Sequence, residues 1–229
     1  MLDIDEQKQL AARWAADQVA NRMVVGLGSG STATLAVQRL GERVRQGLHI
    51  TGVATSAATE SLARALGIAL IPFNEDTRLD LAIDGADEVD PQLNLIKGLG
   101  GALLREKLVE LAATELTIIV DQSKPVPVLG SRSPVPVEIV QFGWRRTLAR
   151  IEALGCRAVP RQAGNELFLT DGGHYILDCR FGQIADPAAI ASQLKALSGV
   201  VEHGLFLGLA TLLVVGTAEG DVEIRSRQR

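Results

Sequence analysis

Residues 23–32 read MVVGLGSGST, an apolar run interrupted by three glycines and closed by two hydroxyl residues. The apolar part fits a buried strand, and Gly26, Gly28 and Gly30 allow the backbone to turn tightly. Ser31 and Thr32 then open a stretch, 31–46, whose spacing predicts a helix. Strand, glycine turn and helix in that order form the opening unit of a parallel, doubly wound sheet. The flanking sequence repeats the alternation. A helix is predicted over 5–20, a strand at HITGVAT (49–55) and a helix over 59–66 ended by Gly67. Strands follow at IALIPF (68–73) and LDLAI (79–83), then a helix near 101–113 and the strand LTIIV (116–120). In such a sheet, ligands bind beyond the carboxyl ends of the strands.

A boundary lies in SKPVPVLGSRSPVPVEIV (123–140), which holds four of the eight prolines. A second unit follows it: strand PVEIV (136–140), helix 143–154 and strand RAVPR (157–161). The stretch ELFLTDGGHYILDCRF (166–181) reads as a hairpin turning at Asp171-Gly172-Gly173. Helix 187–197 and strand GVVEHGLF (199–206) complete an α+β insert of split βαβ, ferredoxin-like type. TLLVVGTAEGDVEIR (211–225) offers two more strands for the first sheet. The expected fold class is therefore α/β: an open, mostly parallel, Rossmann-like sheet with an inserted α+β subdomain. The expected domains are 1–130 with 204–229, and 131–203.

Composition narrows the function. A chain of 229 residues, 47% hydrophobic, can bury a sizeable core. Its 23 Lys plus Arg against 27 Asp plus Glu give a net charge of −4, so no basic field points to nucleic acid or an anionic membrane. The longest apolar stretch, LFLGLATLLVV (205–215), is far short of the ~20 residues that span a bilayer, and reads as core. Cys156 and Cys179 lack metal-ligand spacing, and MLDIDEQKQL has no secretory character. A cytoplasmic location is expected. His49, His174 and His203 sit on different elements and read as surface or core residues, so neither a metal site nor a triad built from them is expected.

Three motifs carry chemistry. GLGSGST (26–32) ends at a helix N-terminus, whose amides and positive dipole end suit a phosphate. It is not a Walker A loop, since no Lys follows Gly30, nor G-x-G-x-x-G, since position 31 is Ser. ATSAAT (54–59), after the second strand, lacks the acid of a dinucleotide site. Such a turn with a Ser/Thr cap also occurs without a ligand, and the loop by itself leaves both readings level. DGADEVD (84–90) sets four carboxylates into seven positions directly behind a strand, where like charges should repel. Glu88 and Asp90 are read there as solvated loop acids, Asp90 alternatively as a cap before Pro91. KGLGGALLREK (97–107) places Lys97 before a Gly-rich turn and Glu106 on a helix. Periodicity puts Leu104, Leu108, Leu111 and Ala112 on one face and Glu106 opposite it, as for an ordinary solvated glutamate.

In this order, from Lys8 through GLGSGST, DGADEVD, KGLGGALLREK and DQSK (121–124), the chain resembles the ribose-5-phosphate isomerase A family along essentially its whole length. The resemblance implies an open α/β domain with an α+β insert, no metal or cofactor, and interconversion of D-ribose 5-phosphate and D-ribulose 5-phosphate. It places the family's glutamate base on Glu106, its site carboxylates on Asp84 and Asp87, and its site lysine on Lys97. Phosphate and sugar contacts fall on Gly28, Ser29, Gly30, Ser31, Thr32 and Lys124, with Gly85, Ala86, Gly98, Leu99 and Gly100 lining the site and Lys8 a weaker candidate. Ser29 stands where many members have Thr, and Leu99 interrupts a turn often richer in glycine. The expected partner is a pentose 5-phosphate, and the expected assembly a homodimer or homotetramer. Two readings from other classes stand beside this one. A sugar-phosphate-sensing module would need a DNA-reading helix pair ahead of the first strand. Coenzyme A transferase-like acyl transfer would use a glutamate nucleophile.

Overall fold

The computed structural model describes residues 1–227. Its first part runs α1 (Ile4–Asp17), β1 (Val24–Leu27), α2 (Ser31–Arg45), β2 (Thr51–Ala54), α3 (Ala57–Ala65), β3 (Ala69–Leu70) and β4 (Leu79–Asp84). It continues through β5 (Glu88–Val89), β6 (Leu95–Ile96), α4 (Leu103–Leu111), β7 (Ala113–Asp121), β8 (Val135–Ile139), α5 (Trp144–Glu152) and β9 (Arg157–Pro160). The remainder is β10 (Gln162–Ala163), β11 (Glu166–Leu167), β12 (Tyr175–Arg180), α6 (Pro187–Lys195), β13 (Val200–His203), β14 (Leu205–Phe206), β15 (Leu212–Gly216) and β16 (Val222–Ser226). None of the helices among the described residues is long and apolar enough to cross a membrane.

The chain divides into two units, Met1–Ala86 with Arg105–Lys124 and Leu209–Arg229, and Asp87–Leu104 with Pro125–Gly208. The first is built on a seven-stranded sheet in the order β16-β15-β7-β4-β1-β2-β3. Every pairing in it is parallel except β15 with β16. Helix α1 starts at a capping box of Asp3 and Glu6 and buries Ala11, Ala12, Ala15 and Ala16 in a core shared with Val25, Leu27, Val37, Leu40, Ile83, Ile119 and Val214. Small residues on the helix let it lie close to the sheet. Gly26 does the same for α4: a Cβ there would lie 2.9 Å from both Ala82 Cβ and Val109 Cγ1.

The second unit contains a four-stranded antiparallel sheet, β13-β8-β12-β9. Strand–helix–strand halves (β8-α5-β9 and β12-α6-β13) give the split βαβ arrangement. Its core gathers Val135, Val137, Ile139, Ile151, Leu177, Cys179 and Leu194, with Trp144 packed against it. Residues 87–104, 125–130 and 204–208, expected in the first domain, belong here, since β6 pairs with β14 and Ile96, Val126, Leu129 and Leu205 join this unit's core. The hairpin expected over 166–181 does not form. Glu166–Leu167 pairs instead with Gln162–Ala163, while Tyr175–Arg180 lies between β8 and β9. Only its turn is present, closed by Gly173 N–H donating to Thr170 O at 2.9 Å.

Candidate active site

Parallel neighbours β1, β4 and β7 bring three segments together at their carboxyl ends: the glycine loop, Asp84 and the DQSK segment. Asp84 closes β4 and is 1% exposed. Its Oδ1 accepts from Ser29 N at 3.0 Å and from Gly85 N at 2.7 Å. The loop presses so closely on it that a Cβ on Gly28 would collide with the Asp84 carboxylate and Ile83 O. Gly30 has φ 87° and is the N-cap of α2, with no side chain to cap the helix. A left-handed cap of this kind is open to glycine, and it leaves the first-turn amides at Ser31 and Thr32 to an anion. Ser31 is exposed and Thr32 is 9% exposed.

Ser29 is held by its side chain as well as its amide. Its hydroxyl bonds to Thr55 Oγ1 at 2.6 Å, Ser56 Oγ at 2.9 Å and Thr59 Oγ1 at 3.2 Å, so it braces the loop against β2 and α3. Thr55, Ser56 and Thr59, all in the run TSAAT after the second strand, supply the partners of that hydroxyl. Ser56 also caps α3 by accepting from Thr59 N.

Helix α4 corrects the periodicity reading. Leu108 and Leu111 are 47% and 60% exposed, whereas Leu103, Val109, Glu106 and Glu110 are 0%, 3%, 4% and 3% exposed. The helix thus turns two leucines outward and two glutamates inward, and Leu104 is half-buried. Carboxylates are almost never this deeply buried without a specific environment. Asp121 ends β7, its Oδ1 accepting from Ser123 N at 2.9 Å, and Lys124 is half-buried three residues on. Lys8, on α1, is paired with Asp5 at 3.1 Å.

In the second unit, Asp87 N donates to Ile96 O at 2.8 Å and Asp87 Oδ2 accepts from Leu99 N at 3.0 Å. Lys97 follows β6 and is 2% exposed. Its N–H donates to Gly204 O at 2.9 Å, and its Nζ lies 5.5 Å from the centroid of the buried Phe206 ring. An aromatic face stabilises a cation taken from water. Gly98 and Gly101 bracket the turn with φ 104° and 89°, and Leu99 is 41% exposed. Asp87, Lys97 and the turn 98–100 are therefore one assembly.

The remaining acids of DGADEVD are structural, not solvated. Glu88 is 1% exposed; its Oε1 accepts from Arg132 N at 2.7 Å and Ser133 N at 2.5 Å, and its Oε2 from Gly130 N at 2.6 Å. Asp90 is 7% exposed and caps the next turn, accepting from the amides of Gln92 and Asn94 at 2.9 and 2.8 Å. No group of three His, Cys, Asp or Glu that could hold a metal occurs among the described residues. His174 Nδ1 lies 2.9 Å from Glu138 Oε1, His203 is buried and His49 exposed.

These motifs match known proteins along almost the whole chain. Residues 51–220 fit the family described as ribose 5-phosphate isomerase A (phosphoriboisomerase A). The chain belongs to the ribose-5-phosphate isomerase A family. Its relatives include a ribose-5-phosphate isomerase A from Synechococcus sp. (strain JA-3-3Ab), 58% identical over 98% of this chain and 99% of that one. The protein of that name from Gluconobacter oxydans (strain 621H) is 53% identical over 95% and 96%. Ribose 5-phosphate isomerase from Plasmodium falciparum superposes with a TM-score of 0.96 at 35% identity, over 99% of this chain and 100% of that one. A D-ribose-5-phosphate isomerase solved in complex with phospho-erythronic acid superposes with a TM-score of 0.95 at 36% identity and the same coverage. Isomerase relatives and isomerase structures do not favour the sensing-module or acyl-transfer readings.

Proposed function

We propose that this chain interconverts D-ribose 5-phosphate and D-ribulose 5-phosphate through an enediolate, with Glu106 as the base. In the open aldose, the carboxylate takes the proton from carbon 2 and the electron pair moves toward the carbonyl oxygen on carbon 1. A hydroxyl proton shifts between the two oxygens, and return of a proton to carbon 1 gives the ketose. Lys97 stabilises the oxyanion, and Asp84 and Asp87 hold sugar hydroxyls and move oxygen-bound protons during ring opening and isomerisation. The α2 first turn, with Ser31, Thr32 and Lys124, holds the phosphate. A phosphorylated sugar acid such as the phospho-erythronic acid of the solved relative carries both a phosphate and a carboxylate. That is the charge pattern of the proposed intermediate.

The observation that carries this reading is the inward-facing Glu106, 4% exposed on a helix that leaves Leu108 and Leu111 in solvent. A helix built only for packing would be turned the other way. The reading includes a cytoplasmic location and a homodimer or homotetramer, the latter measurable by sedimentation. A coupled assay of the purified chain with ribose 5-phosphate tests the activity. Formation of ribulose 5-phosphate is expected, and its absence in folded protein overturns the proposal.

A further inference from the structure

The turn after Lys97 is gripped from two sides, and one grip belongs to a residue outside every motif. Arg161 follows β9; its N–H donates to Ile176 O at 2.9 Å and its carbonyl accepts from Phe168 N at 3.0 Å. The side chain is 12% exposed and engages through three nitrogens. Nε and Nη2 donate to Asp178 Oδ2 and Oδ1 of β12 at 3.0 and 2.5 Å, a bidentate pair that fixes the plane of the guanidinium. Nη1, so aimed, donates to Gly98 O and Leu99 O, both at 2.9 Å. The Phe168 ring lies 5.8 Å from Arg161 Cζ and fills the space that a Cβ on Gly101 would need.

In a trans peptide the C=O and N–H point in opposite directions. With the Gly98 carbonyl drawn to Arg161, the Leu99 N–H of the same peptide faces away, where it meets Asp87 Oδ2 at 3.0 Å. With the Leu99 carbonyl held by the same nitrogen, the Gly100 N–H also faces away from Arg161. We infer that Arg161 is a positioning residue: by holding two carbonyls on one side of the turn, it presents the Leu99 and Gly100 amides on the other. The Leu99 amide serves the Asp87 carboxylate; that the Gly100 amide serves a sugar oxygen of the developing enediolate rests on the isomerase reading, and the clamp itself rests on geometry. A carbonyl swung to that side would set a partial negative charge where negative charge develops. Lysine cannot replace the clamp, because one ammonium cannot engage a carboxylate with two parallel bonds and hold two carbonyls as well.

The test compares wild type with Arg161→Lys and Arg161→Met by amide hydrogen exchange and by steady-state isomerisation of ribose 5-phosphate. Exchange at residues 98–101 is expected to rise at least ~10-fold in both variants while that of α2 is unchanged. The kcat is expected to fall at least ~10-fold with KM within about threefold, since the turn acts on the reacting oxygens and not the phosphate. Added guanidinium ion should restore part of the kcat of Arg161→Met and none in wild type. Wild-type exchange at 98–101, or wild-type kcat in a folded variant, overturns the inference. So does loosening spread evenly over β8, β9, β12 and β13, which would make Arg161 a packing residue only. If Arg161→Met does not fold, Arg161→Lys and Asp178→Asn, which weakens the fork while keeping Arg161, give the same readouts. A wild-type chain inactive on ribose 5-phosphate would refute the isomerase reading, whereas the exchange data would still decide the clamp.

Discussion

The Asp84 carboxylate accepts a hydrogen bond from the main-chain N–H of Ser29 at 3.0 Å, which makes the end of β4 and the glycine loop after β1 one piece of structure. Gly28 is the residue that permits it, since a Cβ there would meet the Asp84 carboxylate and Ile83 O. Gly28→Ala should therefore destabilise the protein by about 1 to 3 kcal/mol, the usual range for overpacking, and lower kcat/KM by displacing Asp84. Thermal melting and initial rates check this. Wild-type values for both would mean that the loop yields without moving the carboxylate.

The phosphate assignment predicts a binding effect. Thr32→Ala removes one hydroxyl beside the α2 amides, and a hydrogen bond to a charged group contributes about 1.5 to 3 kcal/mol. KM for ribose 5-phosphate should rise at least ~10-fold with kcat little changed, and unphosphorylated ribose should be a poor substrate. Equal activity on ribose and ribose 5-phosphate would remove the loop from the mechanism.

Glu88 predicts a stability effect without a chemical role. Its carboxylate satisfies three amides of the 130–133 loop at 2.5 to 2.7 Å. Glu88→Ala leaves those donors without it, and a cost of at least about 2 kcal/mol is expected in urea unfolding. Faster amide exchange at 130–133 should accompany it. Unchanged stability would return Glu88 to the class of solvated loop acids.

The two cysteines should react unequally. The neighbouring Cys179 sulfur holds the Cys156 thiol below the usual thiol range, while the Cys156 sulfur and burial push Cys179 well above it. Cys156 is half-buried and Cys179 buried. Iodoacetamide at neutral pH should label Cys156 in the native protein and Cys179 only after denaturation, as read by mass spectrometry. Equal native labelling of both would contradict this.

The sheet was legible because parallel strands covered on both faces read as unbroken apolar runs, such as VV before Gly26 and LTIIV in β7. The expected hairpin over 166–181 failed because local turn chemistry at Asp171-Gly172-Gly173 says nothing about which strand the returning chain meets. Tyr175–Arg180 finds its partners in β8 and β9, which are distant in sequence. The role of Glu88 is hidden from its local sequence for a related reason: the amides that hold it lie more than 40 residues away. Arg161 carried no local signal, since its carbonyl partners lie about 60 positions upstream. Periodicity gave the wrong face for α4 because it counts hydrophobicity, and this helix buries Glu106 and Glu110 while exposing two leucines.

The central claim is that Glu106 is the base, and the most direct measurement is the kcat of Glu106→Gln. Glu110, one turn further along α4, cannot serve as a silent control, because it is as deeply buried as Glu106. Glu115, exposed on β7, is the suitable control, and Glu115→Gln should retain wild-type turnover. An amide cannot accept the substrate proton at a useful rate, so Glu106→Gln should fold with wild-type circular dichroism and lose at least ~10²-fold in kcat. A folded Glu106→Gln enzyme that isomerises ribose 5-phosphate at the wild-type rate would contradict the account.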